Sequence, residues 1–315
     1  MKKFFLFVCV YIFGTSFFSM NAQEIAATPE YIKALTSKWE GERFPDGRPK
    51  IPDELLERLK KIKLEEAWAE LIELGYHNQF EGNWMFIDKS ESTTMTGRAV
   101  TAQFLPSRPD LKEQVIEQGR IEGRNWEQGR TVSWAINTLV EGDVYVSDAY
   151  LKPSYGTVIG SNLGSGVFAR SKRGIIVYGN VRDMEGLREI DGFNGWIKNS
   201  DPSYMRKTLL SNINFPVRIG EAIVLPGDAV LAKKDGVIFI PAHLVEQIVL
   251  SGEVTDLFDQ FGQQRIHEGK YTAGEIDSVW SEEIEEDFKQ WAKENADKLP
   301  MSLEELDKYL EERIF

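Results

Sequence analysis

Along residues 53–75, Leu55, Leu56, Leu59, Ile62, Trp68, Leu71 and Ile72 recur on a helical period between charged positions. This predicts an amphipathic helix that Pro52-Asp53 opens and Gly75 ends. The period changes at residues 97–105, where the pattern is that of a strand, and the polar residues 109–130 predict helix followed by loop. Residues 143–147 (DVYVS) and 174–178 (GIIVY) are short apolar runs of the kind buried within a sheet. Between them a Gly-rich turn, residues 156–166, leads into a helix ending near Ser171. A further strand-rich stretch, 215–240, is punctuated by the turn pairs Pro226-Gly227 and Asp235-Gly236. Pro241 then starts another helix, at the position where proline is best tolerated. Strands alternating with helices make the fold class α/β.

The flanks read differently. Residues 23–52 are rich in Pro, Gly and charge and predict an extended N-terminal arm, leaving 53–251 as the main domain. From 252 to 315 the composition shifts to an acidic helical extension. Ile276, Val279, Trp280, Ile284, Phe288 and Trp291 share one face of a single predicted helix, with acids opposite. Ser302 and Glu305 have the spacing of a capping box for a last helix. Such an extension packs on the core or on a neighbouring subunit; its acidic face would be repelled by anionic lipid.

The first 22 residues carry their own signal. Lys2 and Lys3 precede an apolar run of roughly 15 residues, and small residues around Ala22 offer a cleavage site, with Gln23 as the new N-terminus. The run is short of the ~20 residues that span a bilayer. A cleavable signal peptide is the reading, with an uncleaved anchor as the alternative, and the expected location is periplasmic or secreted. No other run approaches membrane-spanning length.

Cys9 is the only cysteine, so the chain after the leader has no disulfide, thiolate nucleophile or Cys-metal site. The net charge is −13, and removing Lys2 and Lys3 makes it two units more negative. An acidic chain lacks the basic footprint that nucleic acid requires.

Catalytic side chains are scarce. His77, His243 and His267 are the only histidines, none spaced with another as metal ligands; each reads as a structural hydrogen-bonding group. There is no nucleophile elbow, Walker loop or zincin motif. A hard ion such as Mg2+ asks less, one or two carboxylates with retained waters. Two elements meet that demand. Gly160, Ser161, Asn162 and Leu163 precede a helix, whose free amides hold anions such as carboxylates. Arg182 and Asp183 follow the strand 174–178, where an Arg fork grips a carboxylate and an adjacent Asp holds a metal.

The order and spacing of short segments resemble the RraA-like family of ribonuclease-activity regulators and 4-hydroxy-4-methyl-2-oxoglutarate aldolases. The matching pieces are GRAVT at 97–101, GDVYV at 142–146, GSNLG at 160–164, GIIVYGNVRD at 174–183, EGL at 185–187, FPV at 215–217, PGD at 226–228 and DGVIFIP at 235–241. The resemblance covers roughly 53–250 and neither flank. It implies a swivelling β/β/α sandwich domain that forms homotrimers or hexamers, with the site between adjacent subunits. It further implies that Arg182 binds the carboxylate of a small 2-oxo acid, that Asp183 orders Mg2+, and that the amides of residues 160–164 hold the substrate. The metal and the Arg would then stabilise an enolate as a carbon–carbon bond breaks.

Three positions depart from the family. The Asp usually found 21 positions before the Arg is Ser161, an acid three positions after the Arg-Asp pair is Gly186, and the Ala-Asp-x-Asp-Gly turn reads Ala232-Lys233-Lys234-Asp235-Gly236. Loss of the acid at 161 removes a metal-water ligand or proton-relay partner. The expected function is an exported Mg2+-dependent lyase acting on a 2-oxo acid or sugar-acid-like substrate. The alternative is a non-catalytic binding or regulatory protein on the same trimeric scaffold. Regulation of a cytoplasmic ribonuclease does not fit an exported chain.

Overall fold

The computed structural model describes residues 24–88, 93–124, 131–151 and 154–312. The leader, residues 1–22, lies outside the described residues. From the N-terminus come helices α1 (Pro29–Leu35), α2 (Asp53–Leu59) and α3 (Leu64–Glu73), then strands β1 (Phe80–Glu81), β2 (Met85–Phe86) and β3 (Met95–Pro106). Next are α4 (Pro109–Ile121), α5 (Val132–Ile136), β4 (Asp143–Asp148), α6 (Ser161–Ser171), β5 (Ile175–Val181), α7 (Met184–Arg188) and β6 (Gly195–Ser200). Then follow β7 (Thr208–Ile213), β8 (Val217–Ile219), β9 (Ala222–Val224), β10 (Ala229–Lys233) and β11 (Gly236–Ile240). A short 3-10 turn leads into α8 (Val245–His267), followed by α9 (Ala273–Ile276), α10 (Glu282–Glu294) and α11 (Leu303–Glu312).

A mixed sheet in the order β1-β11-β10-β3-β4-β5-β6-β2 forms the centre. β3 to β6 run parallel, joined by helical crossovers. The 12-residue β3 pairs on one edge first with β10, through residues 95–98, and then with β7, through residues 102–106, with a register shift at Gln103/Phe104 inside the second pairing. Alternation within the buried runs assigns the two faces. Ile175 and Val177 enter the layer under α4 to α6, while Ile176, Val144 and Val146 enter the layer beneath the β8-β9 hairpin. Both faces are covered, which is why these strands read as unbroken apolar runs.

The flanks correct the sequence reading. The arm is not extended throughout: Thr28 caps α1 through the Tyr31 amide (3.2 Å), Pro29 occupies its first turn, and Ile32 is buried. The single helix expected over 53–75 is two, α2 and α3. The chain turns at residues 60–63 so that Leu56 and Leu59, and then Leu64, Ala67 and Leu71, all face α8 and the outer face of β10-β11. Gly75 does end the second helix, at φ +84°. In the Gly-rich stretch the helix begins at Ser161, earlier than expected.

The boundary expected at 251/252 falls inside α8, whose Ser251, Gly252, Glu253 and Val254 are buried. Arg58 grips Glu253 by two bonds of 2.9 and 2.6 Å, tying the tail to α2. The expected helix through Ile276 and Trp291 is broken into α9 and α10, and Val279 between them is 80% exposed. Thr272 and Ser281 cap the two pieces, and their apolar faces close on Leu257 and Phe261 of α8. The capping box at Ser302 and Glu305 forms as its spacing requires, with bonds of 2.9 and 3.2 Å. Among the described residues no helix is long and apolar enough to cross a membrane.

Candidate active site

Strand β5 delivers the Arg-Asp pair. The Arg182 amide donates to the Ile159 carbonyl (2.9 Å) and the Val158 amide to the Asn180 carbonyl (3.2 Å), so residues 158–159 lie along the end of β5. Asp183 then turns the chain at φ +56°, a left-handed conformation that Asp tolerates better than most side chains. Arg182 Nε stands 3.8 Å from Asp183 Oδ2 with both side chains about 40% exposed, a loose pair that contributes little to stability.

The same strand-like contact sets the start of α6 beside that pair. Its first backbone bond runs from the Gly164 amide to the Gly160 carbonyl (2.8 Å), so the helix itself offers no acceptor to the amides of Ser161, Asn162 and Leu163. Among the described residues no side chain caps them. Gly160 leaves the room for their close approach to the Arg-Asp pair: a Cβ there would lie 2.6 Å from Asp183 Oδ2 and 3.1 Å from Arg182 Nε. A bare Cα lets the guanidinium, the carboxylate and three free amides approach one another, the arrangement that binds a carboxylate.

These groups open into a cleft of about 740 Å3. Gly160, Asn162, Leu163 and Arg182 line it. Ser161 and Asp183 do not; Asp183 sits behind Gly160, and Ser161 turns toward Gly186. None of the three histidines lines this cleft. His243 instead borders a separate hollow between the arm and α8, where burial, with Lys38, lowers its pKa. The cleft also takes Tyr204, Met205 and Arg206 from the loop after β6. Sequence spacing gave no sign of them, because a loop over twenty residues further on reaches the site through tertiary hydrogen bonds: the Tyr155 carbonyl accepts from the amides of Arg206 (2.9 Å) and Lys207 (3.0 Å), and the Thr157 hydroxyl donates to the Ser203 carbonyl. A further carboxyl, Asp148, ends β4 at the same sheet edge; burial raises its pKa, opposed by a bond from the Tyr150 amide and by Arg218.

Comparison with known proteins identifies the family. The profile of the RraA-like family, described as Aldolase/RraA, matches residues 66–239, more than half of the chain. The chain belongs to the RraA-like family. RraAS2 of Streptomyces coelicolor, described as an unusual member of the RNase ES inhibitor RraA protein family, superposes with a TM-score of 0.58 at 27% identity. That match covers 69% of this chain and 98% of that one. A 4-hydroxy-4-methyl-2-oxoglutarate aldolase of Thermus thermophilus is 30% identical over 84 residues, 27% of this chain and 51% of the aldolase. An uncharacterized protein of Methanocaldococcus jannaschii is 27% identical over 120 residues, 38% of this chain and 55% of that one. The chain thus spans about half the length of the curated relatives it matches.

Within this RraA-like fold, two of the three positions where an acid was expected and is missing, Ser161 and Gly186, are neighbours. A Cβ placed on Gly186 would come 2.9 Å from the Cβ of Ser161. The spot that two carboxylates would share holds one hydroxyl and a hydrogen. Among the described residues no three His, Cys, Asp or Glu side chains are grouped for a metal. Asp183 alone meets the minimum for Mg2+, one carboxylate with the remaining positions left to water and substrate.

Proposed function

We propose that this RraA-like chain is an exported carbon–carbon lyase that cleaves a small 2-oxo acid, working as a homotrimer or hexamer with Mg2+ at Asp183. The observation that carries this reading is the convergence of the Arg182 guanidinium and the free amides of α6 across Gly160. Arg182 binds and orients the substrate carboxylate, and the amides at 161–163 hold its oxygens in fixed positions, so the reacting bond is presented in one orientation. Bound Mg2+ would supply Lewis-acid stabilisation of the charge that develops on the 2-oxo oxygen. The leader read from residues 1–22 supports export, and membership of an oligomeric family supports the trimer.

The test is exchange of pyruvate methyl protons with deuterated water, followed by NMR, with Mg2+ and then with chelator. Metal-dependent exchange that Arg182→Ala abolishes is the expected result. Absence of exchange above the uncatalysed rate would sink the lyase reading. The replacement of both neighbouring acids by Ser161 and Gly186 favours one second reading, a carboxylate-binding protein without turnover, which predicts Arg182-dependent binding and no exchange.

A further inference from the structure

At the end of the sheet opposite Arg182, the starts of β3, β5 and β6 border a hollow of about 630 Å3. The seven residues of β5, about 20 Å of strand, separate it from the cleft. Among the described residues four cations line it, Lys60, Lys172, Arg173 and Arg188, in a chain whose net charge is −13. The three acids of the lining are engaged or exposed. Glu57 pairs with Arg173 (3.3 Å) and Lys60 (3.9 Å), Asp88 accepts from the Thr93 hydroxyl (2.9 Å), and Asp191 lies in solvent. Arg188 Nε donates to the Ile87 carbonyl (2.9 Å), which orients the guanidinium and leaves both Nη groups without an acceptor among the described residues. Lys172, at the end of α6, rests its ammonium 5.7 Å from the centre of the Phe168 ring and pairs with no carboxylate among the described residues. Asn194 adds a buried donor. It is 7% exposed, and its Oδ1 accepts from the amides of Gly195 (2.7 Å) and Asp88 (3.3 Å), which sets the orientation of the side-chain amide. Its Nδ2 has no hydrogen-bond partner among the described residues. Buried donors are rarely left unsatisfied, and an acceptor seated in the hollow would complete this one.

We infer that this hollow is a second ligand site, separate from the Arg182 cleft, and that it takes a phosphomonoester of a sugar or polyol. The free donors come from three directions: Arg188 from α7, Lys172 from the end of α6, and Asn194 from the approach to β6. A carboxylate offers them two oxygens in one plane and a single charge. A phosphate offers three acceptor oxygens and about −1.5 to −2 charge near pH 7, which suits a guanidinium, an ammonium and an amide set around it. The volume is that of pockets holding whole small molecules rather than a bare ion. Beyond the cations, Thr94 and Asp191 in the lining are hydrogen-bonding partners for the hydroxyls of the ligand body. The inference does not depend on the lyase reading, since no residue of the Arg182 cleft takes part in it.

The test is calorimetric binding to the full chain of three probes, glucose 6-phosphate, inorganic phosphate and glucose, at fixed pH and ionic strength. Unaltered protein is expected to bind glucose 6-phosphate most tightly, inorganic phosphate more weakly, and glucose not measurably. Arg188→Gln should weaken glucose 6-phosphate binding at least about tenfold, the loss of a charge-assisted bond. Lys172→Gln, at an exposed side chain with no ion-pair partner to lose, should weaken it less. Asn194→Asp keeps an oxygen for the Gly195 and Asp88 amides and exchanges the free donor for negative charge, so it should abolish binding. Arg182→Ala should leave glucose 6-phosphate affinity unchanged. Thermal melts identify any variant that fails to fold, and the remaining variants then decide. Three results would each overturn the inference: glucose 6-phosphate bound no better than glucose or than inorganic phosphate; affinity unchanged in the folded variants at 188, 172 and 194; or a loss in Arg182→Ala as large as in Arg188→Gln, which would put the phosphate in the cleft.

Discussion

Arg48 and Asp143 face each other through two parallel hydrogen bonds, Nη1 to Oδ1 at 2.9 Å and Nη2 to Oδ2 at 3.1 Å, across 95 residues of sequence. Both side chains are essentially buried, at 1% and 0% exposure. Burial pushes the Arg48 guanidinium down, but the charges and hydrogen bonds of Asp143 and Asp46 outweigh it and leave its pKa raised. Asp143 also accepts from the Val140 amide (2.9 Å), and the Arg48 guanidinium lies 4.9 Å from the centre of the Phe44 ring. The N-terminal segment is thus pinned into the start of β4.

Removing one partner strands a buried charge, which costs about 3–5 kcal/mol. Arg48→Met should lower the free energy of unfolding by about that amount, and so the urea midpoint, and the double variant Arg48→Met/Asp143→Leu should be less destabilised than Arg48→Met alone. Urea unfolding of the three proteins checks this; an unchanged midpoint in Arg48→Met would show the pair to be dispensable.

Gly160→Ala separates site from scaffold. The new methyl meets Asp183 Oδ2 and, less closely, Arg182 Nε and Cγ, on half-exposed side chains that can swing toward solvent, so stability should change by less than about 1 kcal/mol. Binding of pyruvate should weaken at least about tenfold, because the fork can no longer sit against the α6 amides. Comparable affinity in the variant would show that this close approach is not used.

Ser161→Asp restores one of the two missing acids beside Asp183. Mg2+ affinity rises with the charge of its ligands, so calorimetry should register tighter binding, by about tenfold or more, provided Asp183 is intact. In the Ser161→Asp/Asp183→Asn protein the gain should disappear. No gain in the single variant would place the metal elsewhere.

Asp228 gives stability a pH dependence. Its carboxyl is buried at 2% exposure, and burial raises its pKa to about 7 despite bonds from the Leu225 (2.8 Å) and Ala242 amides. Unfolded, it titrates near 3.9. The folded state therefore holds the proton more tightly, and this contribution is full below about pH 4 and is lost as pH rises to about 7. Between those limits Asp228→Asn, which cannot ionise, should lose less stability than the unaltered chain. Parallel curves for the two proteins would mean that Asp228 stays ionised in the fold.

Much of the core was legible in order along the chain. The buried strands β4 and β5, the turn pairs before β10 and β11, and the Ser302 cap follow from local pattern, because apolar periodicity and turn chemistry act over a few residues. The Arg-Asp pair and the Gly-rich helix start were legible for the same reason. Tertiary contacts decided the rest. Two helices replaced one over 53–75 because both must face α8; α8 ran past residue 252 because Val254, Leu257 and Phe261 seat the tail; and Val279 was left in solvent by the turn between α9 and α10. Arg48, a charge in a polar segment, carried no sign of burial, since its partner lies 95 residues on. Arg206 and Tyr204 enter the cleft through hydrogen bonds from their loop to residues 155 and 157, and the nearness of Ser161 to Gly186 exists only once α6 packs on α7. Local sequence fixes which backbone conformations and buried faces are favourable; which distant charges meet, and so what the cleft can select, depends on how those faces pack.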